Sequence, residues 1–148
     1  MISRREFLSL AAAFSATAVL PAGSFAANKA KVVVIGGGVG GATFAKYLRR
    51  KAPDVDVTII EQNPIYIRPY GSSEVLTGHV NMSDLEVNYD VLRNQYGINV
   101  AIDRAIGLDA DRKIIKTASG TDYAYDRLVV SPGIELSYEG VEGYSKEL

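Results

Sequence analysis

Apolar positions along this chain change period several times, and each change predicts an element. Val32 to Ile35 is an unbroken β-branched run, the pattern of a strand buried on both faces. Val39, Ala42, Ala45 and Leu48 then recur at helical spacing, and Ala52-Pro53-Asp54 stops that helix. Val55, Val57, Ile59 and Ile60 predict a second strand. Residues 62–70 have no period and contain two prolines, which reads as an ordered loop. Gly71-Ser72-Ser73 is placed to cap a short helix through Leu76. Ser83 and Glu86 stand at capping-box spacing, so a helix from about Asp84 to Tyr96 is expected. Leu85, Tyr89, Leu92 and Tyr96 form its apolar face, and Gly97 ends it. Short strands follow at Ile98–Ile102, Ala105–Leu108 and Lys113–Thr117, with residues 122–125 pairing back across a hairpin turn. Leu128 to Val130 is a last buried strand, closed by Ser131-Pro132-Gly133.

The junction between the first strand and the first helix holds the most informative chemistry. Gly36-Gly37-Gly38-Val39-Gly40-Gly41 fits G-x-G-x-x-G, with Gly36, Gly38 and Gly41 in the fixed places. Gly36 permits a tight turn, Gly38 lets backbone approach a pyrophosphate, and Gly41 lets helix and sheet pack closely. The unpaired N–H groups and positive dipole end of the helix, from Val39 onward, suit phosphate. Glu61 ends the second strand, at the place past Gly41 where the acid of such a motif is expected. Its carboxylate can accept hydrogen bonds from ribose hydroxyls and would repel a 2′-phosphate. This pattern predicts an α/β, Rossmann-like dinucleotide-binding fold with a parallel sheet and a small antiparallel meander. The meander in place of a second crossover helix favours FAD over NAD.

Gln62 and Arg68 in the loop after the second strand join the candidate cofactor-binding set. Tyr66 and Tyr70 read equally well as ligand-facing or as loop packing. Small residues at Ser131 and Gly133 would let the chain pass close to a ligand. His79 is the only histidine and reads as locally bonded rather than metal-binding. No nucleophile–base set or carboxylate pair stands out, so no catalytic residue is assigned.

Composition narrows the class. The chain has 148 residues, is 47% hydrophobic, and has a net charge of −1. That suits one domain with a real core and gives no electrostatic case for nucleic acid. The first residues do not belong to that core. Ser3-Arg4-Arg5-Glu6-Phe7-Leu8 matches a twin-arginine export pattern, and an apolar run follows from Leu8 to Leu20. That run is too short to span a bilayer, which takes about 20 apolar residues. Residues 1–26 are therefore expected to be a cleavable signal, with residues 27–148 forming the dinucleotide-binding domain in the periplasm and no stable membrane span. Export of a folded protein suits a cofactor held tightly before export, again FAD. The chain has no cysteine.

The segments VVVIGGGVGGATFAKYL, VTIIE, Tyr66 with Ser72 to Val75, KTASG, and YDRLVVSPGIEL with EGYS resemble the N-terminal part of the flavoprotein subunit of flavocytochrome c sulfide dehydrogenase. The resemblance covers nearly all of residues 30–148. It implies FAD, oxidation of sulfide, and electron delivery to a cytochrome c subunit. Some members bind FAD covalently through a cysteine where this chain has Pro69, which implies a non-covalent flavin here. It also implies pyrophosphate against Gly36, Gly38 and Val39, ribose on Glu61, adenine near the Ala105 backbone, and closure by Ser131 and Gly133. The redox cysteine pair of such enzymes lies past the matching region, so the chain reads as the FAD-binding portion, incomplete at its C-terminal side. Two other readings stay open. One is the N-terminal piece of another FAD-dependent NAD(P)H- or quinone-linked oxidoreductase; the other is a nucleotide-binding domain without turnover.

Overall fold

A computed structural model describes residues 29–134, 137, 138, 140 and 142–145. The expected signal over residues 1–26 lies outside the described residues. Strand β1 (Lys31–Ile35) leads through the glycines into helix α1 (Val39–Lys51), and β2 (Asp56–Glu61) follows. An excursion then carries β3 (Tyr66–Ile67), α2 (Ser72–Leu76), a 3-10 turn (Met82–Leu85) and β4 (Glu86–Val87). Helix α3 (Asp90–Tyr96) returns the chain to β5 (Asn99–Ile102). The meander β6 (Ala105–Asp109), β7 (Ile114–Thr117) and β8 (Asp122–Ala124) precedes β9 (Arg127–Val130).

Strands β5, β2, β1 and β9 lie side by side in that order, all parallel. β1 is central because its whole apolar run is covered. Val32 and Val34 face one side with Ala45, Val57, Ile59, Tyr89 and Val100. Val33 faces the other with Ile60 and Ile115, where Tyr123, Tyr125 and Leu128 pack. This is the period-2 alternation of a strand, with a hydrophobic layer on each side. Helices α1 and α3 supply one layer, and the antiparallel sheet β6-β7-β8 supplies the other. The architecture is thus helix layer, parallel sheet, antiparallel sheet, and the expected α/β class with its meander is present.

Arg49 ties the helix layer to the sheet. Its Nε donates to the Tyr96 carbonyl at 2.9 Å, and Nη1 donates to the Val55 carbonyl at 2.6 Å and to that of Pro53. One guanidinium therefore satisfies the end of α3 and the loop into β2, where carbonyls lack helical partners.

The long helix expected from Asp84 to Tyr96 is not formed. Its first part is the 3-10 turn and the short strand β4, and only Asp90–Tyr96 is α-helical. The capping box sits two residues earlier than expected, on Asn81 and Asp84 rather than Ser83 and Glu86. The Asn81 N–H donates to Asp84 Oδ2 at 2.8 Å. Glu86 is extended (φ −73, ψ 133) because β4 pairs antiparallel with β3. A partner strand distant in sequence outcompetes local helical spacing. Gly97 ends α3 as expected, in the left-handed conformation at φ 60. Among the described residues no helix is long and apolar enough to cross a membrane.

Candidate functional site

The carboxyl ends of the parallel strands converge on one cavity, because backbone bonds lace their exits together. The Gly36 N–H donates to the Ile60 carbonyl at 2.9 Å, the Ser131 N–H to Ile35 at 2.8 Å, and the Asp103 N–H to Glu61 at 2.8 Å. The cavity above them measures about 720 Å³. Open parallel sheets bind ligands at this edge, where the strand order reverses from β2 to β9 around β1.

Gly36 turns out of β1 at φ +95, a conformation that strains any other residue. Its outward direction is filled by the Ser131 carbonyl, so this turn and the end of β9 share one space. Helix α1 begins at Val39, with its first backbone bond from the Ala42 N–H to the Gly38 carbonyl at 2.9 Å. The N–H groups of Val39, Gly40 and Gly41 precede that bond and have no acceptor within the helix. No side chain among the described residues caps Gly38, and the first turn holds no acidic residue. The positive end of α1 therefore opens onto the cavity beside Gly38 and Val39.

Glu61 faces this helix end from β2. Its Oε2 accepts the Gly37 N–H at 2.7 Å and its Oε1 accepts the Asn63 N–H at 2.9 Å. Both oxygens are oriented by backbone donors, and each keeps a lone pair for a further donor in the cavity. At the far wall, the β5–β6 loop supplies Asp103 and Arg104, and β6 supplies its first residue, Ala105. Asp103 accepts from Ser119 Oγ, at 2.5 Å, and from the Arg104 N–H at 2.8 Å. Hydrogen bonds from Ser119 and then Thr117 lower its pKa to about 2.

Of the residues singled out in the sequence, Gly36, Gly38, Val39, Glu61, Gln62, Ala105, Ser131 and Gly133 line this one cavity. Two stand elsewhere. Gly41 lies behind the turn, where an added Cβ would overlap the Gly36 carbonyl and come within 3.1 Å of Val34 Cγ1. Arg68 does not line the cavity. Its Nη2 donates to the Asp84 carbonyl at 3.0 Å, drawn there by the β3–β4 pairing that sequence spacing did not show. Residues not selected from sequence also line the cavity, among them Asn63, Asp103, Arg104 and Ile134. The signal for Asn63 and Asp103 was their place just past the ends of β2 and β5. Tyr66, left open between two roles, faces the cavity, with its Cε2 3.4 Å from the point a Gly38 Cβ would occupy. His79 is locally bonded, its Nδ1 2.9 Å from Thr77 Oγ1.

Tyr89 backs the site from inside the core. It is 2% exposed, its ring packs on Gly37, and its hydroxyl has no hydrogen-bond partner among the described residues. Burial first, then the charges of Glu61 and Tyr66, push its pKa up to about 12, against a smaller opposing effect of Arg93. A folded-state pKa above the unfolded value of 10.0 gives stability that is intact below pH 10 and lost as pH rises toward 12. The loss expected across that window is about 3 kcal/mol. Tyr89→Phe removes an unpaired buried hydroxyl, so it should leave stability at pH 7 unchanged or higher. It should also flatten the alkaline fall, both read from urea unfolding at stepped pH. An unchanged alkaline slope in Tyr89→Phe would assign the fall to other groups.

Comparison with known proteins gives four further observations. The sequence signature of the family described as pyridine nucleotide-disulphide oxidoreductase matches residues 30–148. The chain is 34% identical to the sulfide-quinone reductase of Aquifex aeolicus over 112 residues, 76% of this chain and 26% of that protein. It is 49% identical to the flavoprotein chain of flavocytochrome c sulfide dehydrogenase from Chlorobaculum thiosulfatiphilum over 37 residues, 25% of this chain and 77% of that sequence. The X-ray structure of the A. aeolicus sulfide:quinone oxidoreductase superposes with TM-score 0.69 at 32% identity, covering 74% of this chain and 25% of that one. The chain spans about a quarter of the length of the A. aeolicus protein.

Proposed function

Because the chain belongs to the pyridine nucleotide-disulphide oxidoreductase family, we propose that its cavity is the adenine-dinucleotide part of an FAD site in a sulfide-oxidising flavoprotein. The observation that carries this reading is the joint facing of the α1 N-terminus and the Glu61 carboxylate onto one cavity of about 720 Å³. The donor set fits a dinucleotide. Gly38 is bare where a Cβ would project toward the Tyr66 ring, leaving the first-turn N–H groups approachable. The Val39 and Gly40 N–H groups would hold phosphoryl oxygens, and Glu61 would accept from ribose hydroxyls. Ser131 and Gly133 would close the β9 side, and Ala105 would meet the adenine. Bound FAD supplies a two-electron acceptor.

Pro69 lines the cavity and offers no thiol for attachment, which supports a flavin held non-covalently. The chain itself has no cysteine, so it contributes no sulfur nucleophile to sulfide chemistry. The Ser3–Leu8 twin-arginine pattern supports function in the periplasm after export. A cytochrome c acceptor is supported by the 49% identity to the flavocytochrome c flavoprotein chain. A quinone acceptor is the second reading, favoured by the longer match to the A. aeolicus sulfide-quinone reductase. Sulfide-dependent reduction of cytochrome c against a soluble quinone separates the two.

The test of the FAD assignment is an absorbance spectrum of the purified protein before and after acid precipitation. A flavin band released into the supernatant is expected. A colourless protein that does not take up added FAD would overturn the assignment. Glu61→Ala is expected to weaken FAD binding by about 1–3 kcal/mol, the scale of a hydrogen bond to a charged group. Equal affinity for FAD in the variant would remove Glu61 from the ribose site.

A further inference from the structure

The tip of the β7–β8 hairpin lies outside the cavity, yet it holds the wall at which adenine would seat. Residues 118–121 do not line the cavity, whereas Asp103, Arg104 and Ala105 do. The ladder of β6 fixes that wall poorly. Ala105 pairs with Thr117 and Gly107 with Lys116, so Ile106 is the extra residue of a bulge. A bulge interrupts pairing locally, and another constraint must then set the path of the chain into Ala105.

Bonds from the hairpin tip supply that constraint. Ser119 Oγ donates to Asp103 Oδ2 at 2.5 Å, and the Ser119 N–H donates to Oδ1 at 3.3 Å. Oδ1 also accepts the Arg104 N–H at 2.8 Å, and the Arg104 carbonyl accepts the Ala118 N–H at 2.9 Å. Both backbone groups of Arg104 are therefore committed. The Asp103 N–H is bonded to the Glu61 carbonyl, so one residue links the end of β2 to the hairpin. The hydroxyls have a fixed direction, because an ionised carboxylate only accepts and the Ser119 hydroxyl must give it its proton. That leaves Thr121 Oγ1, 3.1 Å from Ser119 Oγ, as the donor in their contact. Donors aligned head to tail in this way reinforce one another.

We propose that Ser119 and Asp103 are positioning residues for the adenosine end of the site, with Ser119 acting through Asp103 to hold Arg104 and Ala105 against the adenine. The proposal rests on the dinucleotide reading above and adds to it a residue, Ser119, that sets affinity without touching the ligand. None of these bonds reaches the N-terminus of α1, so the effect belongs to the nucleoside half of the ligand and not to its phosphates.

Ser119 is exposed, so Ser119→Ala removes the hydroxyl without opening the core. ADP and adenosine, titrated calorimetrically into the purified protein, should each bind Ser119→Ala roughly fivefold more weakly than wild type, the scale of one hydrogen bond. Inorganic pyrophosphate, followed through the Val39 and Gly40 amide shifts, should bind both proteins equally. Ser119→Thr keeps a hydroxyl and should restore wild-type affinity. The Asp103 carboxyl, followed by carbon NMR, should titrate above its wild-type value of about 2 in Ser119→Ala and return toward it in Ser119→Thr. Unchanged affinity of Ser119→Ala for ADP and adenosine overturns the proposal. An equal loss for pyrophosphate overturns it too, since that marks a general disturbance of the fold. Ser119→Thr behaving as alanine, or an unmoved Asp103 titration, does the same. A wild-type protein that binds neither ADP nor adenosine overturns the dinucleotide reading and the proposal with it. Wild-type binding with no effect of Ser119→Ala overturns the proposal alone.

Discussion

Gly41→Ala is expected to lower stability by at least about 3 kcal/mol, the upper range for overpacking, and to leave little folded protein. An alanine Cβ at this position overlaps the Gly36 carbonyl and sits 3.1 Å from Val34 Cγ1. Neither neighbour can give way. The Gly36 carbonyl belongs to a turn at φ +95 whose N–H is bonded to Ile60, and Val34 is fully buried in the central strand. Helix α1 would have to lift off β1, exposing Ala45 and the apolar layer packed around it. Urea unfolding followed by far-UV circular dichroism reads the effect. A stability within about 1 kcal/mol of wild type, well below the usual overpacking cost, would show that α1 can shift on the sheet and that the close approach is not needed. Gly36 and Gly41 thus act as a pair: the first bends the backbone, and the second lets the helix fit against the bend.

Gly38→Val should behave in the opposite way, keeping the fold and losing the ligand. An added Cβ at Gly38 meets nothing nearer than the Tyr66 ring at 3.4 Å, which is ordinary contact. The position opens onto the cavity beside the first-turn N–H groups of α1. A branched side chain there stands between those donors and any diphosphate. Two charge-assisted hydrogen bonds would be lost, so affinity for ADP should fall by more than about 100-fold. Thermal melting within a few degrees of wild type, together with calorimetric titration, separates this from misfolding. Retained ADP affinity in a folded Gly38→Val protein would place the phosphates elsewhere. The two variants of one motif therefore report different quantities, stability for Gly41 and binding for Gly38.

Much of this molecule was legible from residue order, for identifiable reasons. The run Val32–Ile35 is apolar throughout because both of its faces are covered, so its burial needed no knowledge of partners. The first crossover was equally clear, since Gly36, Gly38 and Gly41 each answer a local backbone demand and Glu61 ends a strand of obvious period. Gly97 marked the end of α3 because the left-handed conformation it adopts is a property of one residue. The meander was readable from turn residues between short β-branched runs. These features are encoded within a few residues of where they act.

Other features depended on distant partners. Residues 84–96 have helical spacing over their whole length, yet Glu86 and Val87 are strand because Ile67 and Tyr66 lie opposite them. The same pairing drew Arg68 to the Asp84 carbonyl and away from the cavity, and set Tyr66 over Gly38. Asp103 and Arg104 reach the site because the Asp103 N–H is bonded to the Glu61 carbonyl at the end of β2, a contact between segments far apart in the chain. Which sheet face the meander covers follows from Ile115 packing on Val33 and Ile60. Residue order by itself determined the strand–glycine–helix unit and the acid that faces it, because these answer to local backbone geometry and period. Only the tertiary structure decided which loop side chains complete the cavity, because a loop residue points where nonlocal pairing and burial direct it.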